Sequence, residues 1–152
     1  MTSAAILELN QVLALQLADY WHEIDFNGGR EASGYYMFHP CAPARMAEHL
    51  PDVKIMAMLR DPVERAFSAY KHELARGFET ESFERALALE DERLAGQAER
   101  MLADASYQSA AHRHQAYVRR GQYAEQLERL RDHFPAEQIH VVVTTPAAPR
   151  RK

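Results

Sequence analysis

Lys54-Ile-Met-Ala-Met-Leu-Arg60-Asp-Pro-Val-Glu-Arg-Ala-Phe-Ser68-Ala-Tyr70 holds a strand, a sharp turn and a helix start in one continuous segment. The run from Val53 to Leu59 is apolar apart from Lys54 and reads as a central strand, largely apolar on both faces as parallel sheets require. Asp61 is a favoured N-cap, Pro62 is tolerated at the first helical position, and Glu64 stands at the acidic position of a capping-box-like start. Val63, Phe67 and Tyr70 then recur at helical spacing and predict the buried side of this helix. Arg60 places a permanent planar cation at the turn, and Ser68 places a hydroxyl two turns into the helix. Because the first N–H groups of a helix lack intrahelical partners, such a turn suits an anion, with the Arg60 fork matching phosphate oxygens. The alternative is that Arg60 only pairs with a neighbouring carboxylate.

Arg60-Asp-Pro-x-x-Arg65-Ala-x-Ser68-x-Tyr70 resembles the 3′-phosphate-binding segment of sulfotransferases that use 3′-phosphoadenosine 5′-phosphosulfate (PAPS). The likeness continues upstream through Glu31-Ala-Ser-Gly-Tyr-Tyr-Met-Phe-His-Pro40, Ala42-Pro-Ala-Arg-Met46 and Leu50-Pro-Asp-Val-Lys54, which match the bacterial, heparan-sulfate-sulfotransferase-like branch. Downstream it continues through Gly77-Phe-Glu-Thr-Glu-Ser-Phe83, Tyr117-Val-Arg-Arg-Gly-Gln-Tyr123 and the helix to Phe134-Pro135. The resemblance covers roughly residues 29 to 143. It implies a partial P-loop-type α/β fold with central parallel strands flanked by helices, and sulfuryl transfer from PAPS, without a metal, to a hydroxyl or amine of a carbohydrate or small molecule. Arg60 and Ser68 are then the residues that hold the 3′-phosphate.

Other candidates carry less chemistry. Ser33 could donate to the cofactor, and Glu31 could pair with a cation or serve as catalytic base; the same loop could simply be packed by Tyr35, Tyr36 and Phe38. Where relatives commonly have Lys and Pro, this chain has Ala32 and Gly34, the latter a more flexible residue. Arg119 and Arg120 precede a helix and could reach the 3′-phosphate or an acidic acceptor, or form an ordinary solvated boundary. The family's 5′-phosphosulfate loop, rich in Gly and Ser/Thr with a Lys, has no counterpart, since the three lysines are Lys54, Lys71 and Lys152. Asn27-Gly-Gly-Arg30 lacks the flanking strand and helix that such a loop needs. His112 and His114 are two apart on a helix and cannot chelate one metal together. Met56 and Met58 are expected as core fillers.

The remaining organisation fits one partial domain over residues 1–152. Residues 1–28 are read as a divergent N-terminal helix, with Ile6, Leu9, Leu13, Leu17 and Tyr20 in one stripe through which the chain could oligomerise. Helices are expected at about 43–50, 82–94, 107–117 and 123–133, a second strand at Ile139 to Val143, and a disordered tail over 144–152. With 47% hydrophobic and 26% charged residues, the 152-residue chain has a globular composition. A net charge of −4 argues against nucleic acid as a partner, because general polyanion binders are strongly basic. A single cysteine, Cys41, excludes an internal disulfide. No apolar run is long enough for a membrane span, and Glu8 within the first apolar segment, with no basic leader, does not read as a signal peptide. Together these predict a cytoplasmic protein.

Overall fold

A computed structural model of the chain describes residues 33–144. The expected N-terminal helix, Asn27-Gly-Gly-Arg30, Glu31 and the tail beyond Thr144 lie outside the described residues. Compact units divide at Gly34, the first being Met1–Gly34 and the second Tyr35–Lys152. Every described helix and strand belongs to the second unit.

These elements are α1 (Ala42–His49), β1 (Ile55–Leu59), α2 (Pro62–Ala75), α3 (Phe83–Leu94), α4 (Gln97–Ala103), α5 (Ala110–His114), a 3₁₀ turn at Arg119–Gly121, α6 (Tyr123–Arg131), a second 3₁₀ turn at Ala136–Gln138, and β2 (Ile139–Val143). The strands pair in parallel, with Ile55 opposite Ile139 and Leu59 opposite Val143. Five intervening helices make the crossover that parallel pairing requires. The ends are tied as well: Thr144 donates its backbone N–H and its hydroxyl to the Leu59 carbonyl, and the Gln138 amide donates to the carbonyls of Pro51 and Val53.

Local chemistry sets the helix starts. Asp61 Oδ1 accepts from the Glu64 amide at 2.9 Å, and Ser82 and Ser109 accept in the same way from the Arg85 and His112 amides. Gly96 has φ of 69°, a left-handed conformation that breaks the chain between α3 and α4. The helix expected over 107–117 is confined to Ala110–His114, because Ser109 starts it late and the chain turns at Gln115 to bury Ala116 and Tyr117 in a non-helical segment.

The core joins α2 and α3. Ala66 and Tyr70 meet Ala86 and the fully buried Tyr117, with Ala69, Phe83 and Leu87 packed around them. Tyr70 lies 5.1 Å from Phe83 and 6.0 Å from Tyr117 between ring centroids, tilted and edge-on contacts that aromatic rings favour. Val63, expected on this face, is 72% exposed, and Phe67 is also exposed. The buried stripe runs instead through Ala66, Tyr70 and Glu73, whose carboxylate reaches His114 on α5.

A second correction concerns the sheet. Met56 and Met58 are 66% and 68% exposed rather than core fillers. Burial alternates along β1, with Ala57 and Leu59 covered and the methionines bare. The expectation of two covered faces fails because the described elements of this unit bury one face of β1 only.

Candidate functional site

Arg60 directly follows β1, and its guanidinium projects from the strand-to-helix turn, 43% exposed. Its side-chain partner among the described residues is Glu64, at 3.4 Å between Nη2 and Oε2. Ser68 is exposed and makes no side-chain hydrogen bond to any described residue. Glu64 and Ser68 are four positions apart on α2, so they share a helix face, and the ion pair brings Arg60 to the start of that row. Arg60, Glu64 and Ser68 therefore line one open side of the helix.

The helix N-terminus itself is filled. Pro62 has no N–H, and the Glu64 amide is taken by Asp61, so an arriving anion would rely on side chains more than on free backbone donors. The Glu64 carboxylate turns to Arg60 instead of completing a capping box.

Three interactions fix the turn from outside. The Tyr123 hydroxyl donates to the Arg60 carbonyl at 3.0 Å. Gly121 lies against Pro62 so closely that a Cβ there would stand 3.0 Å from the proline Cβ. The Arg65 guanidinium donates to the Tyr117 carbonyl. Burial, followed by the nearby charge of Arg120, lowers the Arg65 pKa against the opposing pull of Tyr123 and Glu90, with a smaller lowering from Arg60. Beneath it, the buried Glu90 carboxylate accepts the backbone amides of Val118 and Arg119, each at 2.8 Å, and so holds the 3₁₀ turn that carries Gly121.

Of the other sequence candidates, Arg119 pairs with Asp91, 3.0 Å from Nη2 and 3.3 Å from Nε, at the rim of a cleft of about 240 Å³ lined also by Leu87, Glu90, Val118 and Gln122. Arg120 donates to the Arg113 carbonyl at 2.6 Å and stacks over the rings of Tyr35 and Phe38. Ser33 belongs to the other compact unit, and Glu31 lies outside the described residues. His112 and His114 face different partners, Tyr35 and Glu73, as their spacing predicts. Cys41 donates its thiol to the Met101 carbonyl. Among the described residues no group of three His, Cys, Asp or Glu could hold a metal, and no helix is long and apolar enough to cross a membrane.

The sequence reading allowed for a carboxylate partner of Arg60 without naming it, and it missed one anchoring residue. Glu64 as the partner of Arg60 was available from their separation of four, and the anchoring role of Arg65 lay within the quoted motif.

No family model matches the chain, and no curated protein matches it. Among solved structures, the crystal structure of a sulfotransferase from Alicyclobacillus acidocaldarius is similar, with 40% identity over 74% of this chain and a TM-score of 0.52. The chain spans 40% of the length of that protein. The parallel strands, the intervening helices and this level of identity agree with the resemblance carried by residues 29–143, and on these grounds the chain is a relative of the sulfotransferase family, with an α/β framework that resembles part of its fold.

Proposed function

We propose that this chain carries the 3′-phosphate-binding part of a PAPS-dependent sulfotransferase. The observation that supports this most is the exposed row of Arg60, Glu64 and Ser68 at the strand-to-helix turn. A phosphate monoester dianion would accept two parallel N–H bonds from Arg60 and one O–H bond from Ser68, two turns into the helix that follows. PAPS, when bound, supplies the activated sulfuryl group: its S–O bond to the 5′-phosphate breaks, a new bond forms to the acceptor oxygen or nitrogen, and the acceptor proton passes to a base. Glu31 is proposed as that base from the resemblance alone. The acceptor class, a carbohydrate or small molecule with a hydroxyl or amine, rests on the same resemblance.

Titration with adenosine 3′,5′-bisphosphate, followed by calorimetry, tests the site. Hydrogen bonds to charged groups contribute about 1.5–3 kcal/mol and neutral ones about 1, so Arg60→Ala is expected to weaken binding roughly ten- to hundredfold and Ser68→Ala several-fold. Undiminished affinity in Arg60→Ala would exclude the site.

A second reading, a non-catalytic nucleotide-binding or interaction module, is favoured by the exposed Met56 and Met58 on a parallel strand pair. It requires nucleotide binding without turnover of labelled PAPS, and a stable assembly in size-exclusion chromatography.

A further inference from the structure

The Arg60 guanidinium meets a carboxylate of the helix that follows it, on the side of that helix where Ser68 also stands. Both partners of this pair are about half exposed, at 43% and 50%, so the contact is open to exchange with solutes rather than locked in a core. We infer that Glu64 is an internal competitor for the anion site: its carboxylate occupies Arg60 when no nucleotide is bound and is displaced by an incoming phosphate. This inference rests on the 3′-phosphate reading of Arg60 and Ser68.

The chemistry follows from charge and geometry. A carboxylate at 3.4 Å is a single-contact partner for a fork that can donate two parallel bonds, so a dianionic phosphate with three terminal oxygens outcompetes it. A monoanionic ligand, such as a carboxylate or a phosphodiester, gains less on exchange. Glu64 also remains on the same side as Ser68 after displacement, where it repels negative charge. Both effects lower the apparent affinity of the site, and the repulsion weighs most on the doubly charged phosphate monoester. Glu64 is therefore a residue that tunes the affinity of the site rather than a ligand contact. Its backbone amide, which Asp61 caps, is untouched by a side-chain change, so Glu64→Gln keeps the helix start intact.

Affinities of the full chain for adenosine 3′,5′-bisphosphate and for the 5′-monophosphate, measured in wild type, Glu64→Gln, Arg60→Ala and the double variant, decide the matter. Exposed pairs are weak, so Glu64→Gln is expected to tighten bisphosphate binding about three- to tenfold at low salt, with the gain shrinking as salt rises. In the Arg60→Ala background most of that gain should vanish, because the competitor acts through the guanidinium. The 5′-monophosphate, which has only a hydroxyl at the 3′ position, should gain little, so the preference for the bisphosphate should widen in Glu64→Gln. Unchanged or weaker binding in Glu64→Gln, while Arg60→Ala still loses affinity, overturns this inference and leaves the phosphate site standing. If Arg60→Ala also binds as wild type does, or no variant binds, both the site and the competitor fall.

Discussion

Glu79→Gln should destabilise the chain by about 3–5 kcal/mol, the expected cost of breaking one partner out of a buried charge network. The Glu79 side chain is fully buried. One oxygen accepts from Arg93 at 2.7 Å and from the Tyr117 hydroxyl at 2.9 Å, and the other accepts the Thr80 and Glu81 amides. Burial alone would raise its pKa, but Arg93 and the two amides, helped by Tyr117, outweigh that and hold it at about 2. A neutral amide in its place loses the ion pair, turns one acceptor into a donor facing Arg93 or two backbone N–H groups, and loosens Tyr117 at the centre of the core. Urea denaturation should show a much lower midpoint with an unchanged slope. A loss below about 1 kcal/mol would mean that the network contributes little beyond its own desolvation cost.

Mild acid should unfold this chain through its histidines before its carboxylates titrate. Burial, then the charges of Arg120, His39 and Arg129, lowers His112 from 6.5 to about 3. Burial, then Arg45 and Arg129, lowers His39 to about 4. Kept neutral, the His112 ring shares a hydrogen bond between Nδ1 and the Tyr35 hydroxyl at 2.6 Å and stacks on Phe38 at 4.3 Å. The unfolded chain takes up these protons below pH 6.5 and the folded chain does not, so stability is full above that value and falls as pH drops toward 4 and 3. At about 1.4 kcal/mol per pH unit, His112 alone should cost about 2–3 kcal/mol by pH 4.5, with less from the partly exposed His39. Glu79 pulls in the same direction only when the pH falls below the ordinary carboxylate range toward 2. Thermal melts from pH 7.5 to 4.5 read this out. In His112→Asn the slope between pH 6.5 and 4.5 should flatten, whatever that variant loses at neutral pH; an unaltered slope would remove His112 from the explanation.

What could be read in the sequence was what local chemistry specifies. The β-branched run Ile139–Val143, the Asp61 cap and the helix expected over 82–94 all appear where side-chain type alone dictates them. Helix α4 was missed because only Met101 on it is buried, which leaves no apolar period to see. Buried acids were equally invisible. Glu73, Glu79 and Glu90 look like solvated charges in one dimension, and only the fold brings His114, Arg93 and the amides of residues 118 and 119 to them. For the candidate site, the Arg60–Ser68 spacing was legible, whereas the way Asp61 fills the helix start depends on the realised cap geometry.

The bare methionines have a chemical consequence. Thioethers at the surface are converted to sulfoxides by peroxide far sooner than buried ones. Met101, 4% exposed, provides a shielded reference in the same chain, so a brief oxidant pulse followed by mass spectrometry should mark Met56 and Met58 first. If the wider protein or another molecule lies over that side of the sheet, the two marks disappear together, and the footprint becomes an assay for whatever covers it.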